Sequence, residues 1–151
     1  MPDIRTRVHR ALYRPDQADS VLSHFRRRRW QLLLDVFPEL ESMRVLDLGG
    51  RISQWTACPV RPAQVVVLNA EDAPESDAAF RVVWGDACAP PEDITTDRFD
   101  LVYSNSLIEH VGGYHRRAEM AEQVRELAPR HWIQTPYRYF PVEPHWMMPG
   151  L

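Results

Sequence analysis

Apolar residues in this chain fall into short continuous runs separated by turn formers, with longer segments of helical period between them. Residues 44–48, Arg-Val-Leu-Asp-Leu, read as a buried strand stopped by Gly49 and Gly50. Residues 64–68 form a second, continuous and β-branched run. Residues 80–84 form a third, ending at Gly85 and Asp86, and residues 99–103 a fourth. A fifth is predicted over 131–134. Residues 20–37 read as a helix ended by Pro38, with Leu22, Phe25, Leu33 and Val36 on one stripe. Residues 52–57 allow a helical turn or two. A short helix is predicted over 106–111, because Ser106 and Glu109 have capping-box spacing. A clearer helix is predicted over 114–128, with Met120, Val124 and Leu127 on one face and Pro129 as its stop.

Strands apolar on both faces and alternating with helices predict a mostly parallel α/β sheet of Rossmann-like type, with helices on both faces. In such sheets ligands bind at the carboxyl ends of the strands, near the switch in strand order. Polar and glycine residues collect there: Asp47, Gly49 and Gly50 after strand one, Asn69 and Glu71 after strand two, Asp86 after strand three, and Ser104 and Asn105 after strand four. The dinucleotide fingerprint G-x-G-x-x-G is absent, and a chain without lysine has no P-loop. Asn69 lies 22 residues after Asp47, a spacing suited to ribose hydroxyls, and Asp86 could accept from an exocyclic amine. These groups describe an adenosine site without a pyrophosphate cradle. Each also has a plainer reading, as a tight turn, a turn residue or a loop acid.

At 151 residues the chain is read as one domain: 1–42 an N-terminal helical segment, 43–134 a cofactor-binding core, and 135–151 an irregular tail. Eighteen basic and twenty-one acidic side chains give a net charge of −3, which argues against nucleic acid as a partner. The run Arg26 to Arg29 reads first as a solvated helix face. Arg29, however, falls on the apolar stripe, where it must snorkel, find a partner or grip an anionic substrate. No apolar run is long enough to span a membrane, and no secretory signal is evident. Two cysteines thirty residues apart, with no metal-ligand spacing among the histidines, predict no metal and a cytoplasmic setting.

The run Val45-Leu46-Asp47-Leu48-Gly49-Gly50 resembles the first motif of class I S-adenosylmethionine-dependent methyltransferases. Gly85-Asp86-Ala87 is similar to that family's adenine-contacting motif. Residues 99–111 resemble its fourth-strand motif, closest to the branch acting on small molecules and lipids. The resemblance covers residues 44–134 and implies S-adenosyl-L-methionine as cofactor and a small-molecule substrate as methyl acceptor. By position, Asp47 would orient the glycine turn and the cofactor's amino-acid end. Gly49 and Gly50 would line the methionine–ribose region, Asn69 would hold the ribose, and Asp86 and Ala87 the adenine. Ser104 would offer its backbone near the sulfonium, and His110 and His145 are the candidate catalytic bases.

The chain departs from the family pattern at Arg51, usually glycine, and at Asn69, usually an acid. Arg51 would either crowd the pocket or pair with the cofactor carboxylate. After the fifth strand only residues 135–151 remain, too short for the family's closing antiparallel strands, so a C-terminally truncated domain is expected. The alternative function is a degenerate fold serving as a non-catalytic binding or interaction module. An edge at the fifth strand and the apolar Trp146-Met147-Met148 predict a homodimer, or a tail folded back over that edge.

Overall fold

Valine and leucine on both faces of a strand are stable only where helices cover both sides. The computed structural model, which describes residues 21–70, 79–135, 142–143 and 148–149, meets that condition. Five strands, β1 (Arg44–Leu48), β2 (Gln64–Asn69), β3 (Phe80–Trp84), β4 (Leu101–Asn105) and β5 (His131–Gln134), form one sheet in the order β3-β2-β1-β4-β5. All four pairings are parallel. This is a Rossmann-like α/β fold, with strand order reversing between β1 and β4. The helices are α1 (Val21–Val36), α2 (Ile52–Trp55), α3 (Glu92–Thr95) and α4 (Tyr114–Leu127). A second, two-stranded antiparallel sheet pairs β6 (Val142–Glu143) with β7 (Met148–Pro149), so the segment expected to be irregular contains a short ribbon.

Alternate residues of the central strands serve opposite layers. Val45, Val65, Val67 and Tyr103 pack under α1 and α2, against Trp30, Leu33 and Trp55. Leu46, Leu48, Val66, Leu68 and Val102 pack under α3 and α4, against Ile94, Met120, Val124 and Leu127. The face predicted for α4 is therefore the buried one. Beyond α4, β5 is the sheet's edge among the described strands, and the two bound an apolar cleft of about 570 Å³.

Three expectations are corrected. The fourth strand begins at Leu101 rather than at residue 99, because the Asp100 carboxylate accepts the Arg44 backbone N–H before the ladder starts. Ser104 and Asn105 are thus the last residues of β4 and do not follow it. Residues 106–111 form no helix. Ser106 adopts a φ of 60° and gives its N–H to the Gln134 carbonyl, while Glu109 accepts from the Thr135 hydroxyl. The capping box fails because both of its members are committed to β5 and its exit.

The apolar stripe of α1 is also displaced. Trp30, Leu33 and Phe37 are buried, whereas Phe25 and Val36 are 45% and 57% exposed, and the side chain of Leu22 lies outside the described residues. Large rings set the helix rotation. Trp30 stacks on Tyr103 at 5.9 Å and tilts against Trp55 at 5.2 Å between ring centroids, while Phe37 meets Trp132 edge-on. Arg29 is left half-buried at the border of this face. Truncating Trp30 to Ala is expected to lower unfolding free energy by about 3–5 kcal/mol. Val36→Ala should change it by no more than about 0.5 kcal/mol. Urea denaturation of the two variants checks this, and equal effects would restore the original stripe.

Candidate functional site

The end of β1 sits at the switch in strand order, flanked by β2 and β4. Asp47, within the strand, is fully buried and lies opposite Tyr103 of β4. Its Oδ2 accepts the Trp55 indole N–H at 2.7 Å. Asp47 Oδ1 is buried and, among the described residues, has no hydrogen-bond partner. Burial pushes the carboxyl pKa up to about 7, partly opposed by the Trp55 hydrogen bond.

Next come the two glycines, and the structure leaves neither position room for a side chain. Gly49 takes a φ of 75°, and a Cβ there would stand 2.7 Å from Leu107 Cδ1. A Cβ on Gly50 would overlap the Asp47 carboxylate. The turn is braced from both sides. Gly49 N–H donates to the Leu68 carbonyl at 2.8 Å, and Asn69 Nδ2 donates to the Gly50 carbonyl at 2.9 Å. From β4, the buried Ser104 hydroxyl donates to the Leu48 carbonyl at 3.0 Å. Gly49, Gly50, Asn69 and Ser104 are thus tied together by hydrogen bonds, and Asp47 packs beneath Gly50. Arg51 is exposed, with extended backbone, at the start of α2.

The third strand end joins this unit through the Gly85 N–H, which donates to the Asn69 carbonyl at 3.0 Å. Asp86 follows, with Oδ1 accepting the Cys88 N–H at 2.9 Å and Oδ2 paired to Arg116 of α4. The Cys88 N–H, with help from the Arg116 guanidinium, holds its pKa below the usual carboxylate value against the opposing effect of burial. Ala87 is buried beneath α3 and α4. His110 is exposed in the turn after Leu107, not on a helix. His145 and Glu71 lie outside the described residues.

Sequence reasoning passed over Trp55, Tyr103 and Gln54. Trp55 lies eight residues after Asp47, on the first helix after the turn, and that placement is the signal that could have exposed it. Tyr103 and Gln54 carry no local signal, and only the packing of α1 and α2 on β4 gives them a place.

No family model and no curated protein matches the chain. Among solved structures it is similar to an S-adenosylmethionine-dependent methyltransferase from Mesorhizobium loti, with a TM-score of 0.51 and 22% identity. The match covers 76% of this chain and 56% of that one, so this chain spans little more than half of that protein's length. The two share a fold.

Asp47 also sets a pH dependence. Between about pH 4 and 7 the unfolded chain has an ionised Asp47 while the folded chain still holds its proton. Stability from this group is therefore greatest at the acid end, falls as pH rises towards 7, and changes no further above it. Asp47→Asn keeps an acceptor for Trp55 and is expected to lack that fall, by an amount on the order of a few kcal/mol. Denaturation midpoints of both proteins from pH 4 to 8 check this, and parallel curves would contradict it.

Proposed function

We propose that the chain binds S-adenosyl-L-methionine and transfers its methyl group to a small-molecule acceptor. One observation carries the reading: a tight glycine turn, packed against Leu107 and a buried carboxyl so closely that neither position admits a side chain, at the switch between β1 and β4. The fold shared with a methyltransferase supports it. The lack of a pyrophosphate fingerprint turns it away from dinucleotides and triphosphates.

In this reading the methionine–ribose portion lies against the tight turn at Gly49 and Gly50, with Asp47 packed beneath Gly50. Asn69 serves the ribose from the end of β2. Asp86 and Ala87 serve the adenine, and a carboxylate oxygen already paired can accept a further hydrogen bond. Ser104, locked by its hydroxyl to Leu48, presents the end of β4 towards the sulfonium. The bound cofactor would supply an electrophilic methyl carbon on sulfur, displaced in line by the acceptor's electron pair. The protein's part is alignment, plus removal of a proton where the acceptor carries one. His110, exposed beside the turn's Leu107, is the described candidate base, and His145 is the other.

Thermal melting tests the binding half of this reading. S-adenosylhomocysteine at 100 times its dissociation constant adds about 2.7 kcal/mol, or about 5–11 °C for a domain of this size. That gain is expected with S-adenosylhomocysteine and not with NAD or ATP. No gain, or an equal one with NAD, would contradict it.

A further inference from the structure

Helix α1 runs down to the start of β1, so its first half stands at the carboxyl edge of the sheet, beside the first turn of α2. Between the two helices lies a cavity of about 450 Å³. Phe25, Arg26, Arg29 and Trp30 line it from α1, and Ser53 and Gln54 from α2. That volume suits part of a small molecule.

Two features of the cavity are not accounted for by folding. Arg29 Nε and Gln54 Oε1 are buried and, among the described residues, have no hydrogen-bond partner. A buried charged donor without an acceptor is costly and is kept only where something else meets it. The cavity also has two guanidinium groups and, among the described residues, no carboxylate. Beside Arg29 the Tyr103 hydroxyl is likewise buried, with the Arg29 guanidinium as a polar neighbour. Burial pushes its pKa up to about 12 despite the nearby Arg29 charge, so it remains a donor at neutral pH.

We infer that this cavity receives the carboxylate of a small ligand, with Arg29 as its principal holder and Arg26 at the mouth. Guanidinium donors match carboxylate oxygens in geometry and charge. Gln54 Oε1 then faces a donor on the same ligand, such as an ammonium or hydroxyl group. The carboxylate has two sources: the amino-acid end of the cofactor, or a separate acceptor. Only the first rests on the proposed function.

Calorimetric titration of the full chain and of Arg29→Met separates them, using S-adenosylhomocysteine, methylthioadenosine, which lacks the amino-acid end, and benzoate as a bare carboxylate probe. Arg29→Met keeps side-chain length and removes a buried unpaired donor, so the unliganded variant should melt no lower than the parent. If the cofactor's end occupies the cavity, the variant binds S-adenosylhomocysteine about 10- to 100-fold more weakly and methylthioadenosine unchanged. If an acceptor occupies it, both nucleosides bind unchanged and benzoate binding is lost. Arg29→Lys, which keeps the charge without the fork, should recover part of either loss. Equal affinities of parent and Arg29→Met for S-adenosylhomocysteine and for benzoate would overturn the inference. A chain that binds neither nucleoside would overturn the proposed function instead, and the benzoate comparison would still decide the cavity.

Discussion

The site depends on a carboxyl group buried where a side chain at the next turn position would otherwise lie. Asp47 occupies the space that a Cβ on Gly50 would need, and the Trp55 indole holds it there. Burying that group raises its proton affinity to near neutrality, which is the cost of placing it in the interior. In exchange the backbone after β1 is fixed from beneath, while Asn69 and Ser104 fix it from the flanking strands. A turn packed beneath and bonded from both flanking strands is rigid, and a rigid turn is pre-organised for a ligand.

The aromatic layer under α1 and α2 extends that constraint outward. Trp55 serves twice, as donor to Asp47 and as a ring against Trp30 and Tyr103. Because Trp30 stacks on Tyr103, α1 is rotated so that Arg26 and Arg29 face α2 at the carboxyl edge of the sheet. The packing that stabilises one face of the sheet thereby also positions the polar lining of the cavity.

The sheet was legible because the strands are buried on both faces, and continuous valine and leucine runs such as 64–68 have few other stable fates. The glycine turn was legible for the same reason: Gly49-Gly50 follows such a run directly. The stripe of α1 was misread because periodicity ranks all apolar residues alike. The choice between Val36 and Phe37, or between Phe25 and Trp30, is made by rings on distant strands. Residues 106–111 were misread because a capping box is a local signal, and it was overridden by hydrogen bonds to Gln134 and Thr135. Arg29 was recognisable as a charge near an apolar stripe. That its Nε would be buried opposite Gln54 is a tertiary fact with no trace in local sequence.

The proposed function puts S-adenosyl-L-methionine at the turn over Asp47. Amide and indole resonances recorded during titration with S-adenosylhomocysteine report on it position by position. If the ligand binds there, the Gly49, Gly50 and Asn69 amides and the Trp55 indole N–H shift together, while Met120 and Val124, in the cleft beside β5, stay unmoved. Saturating ligand that leaves the glycine turn and Trp55 unperturbed, or that shifts only the β5 cleft, would contradict it.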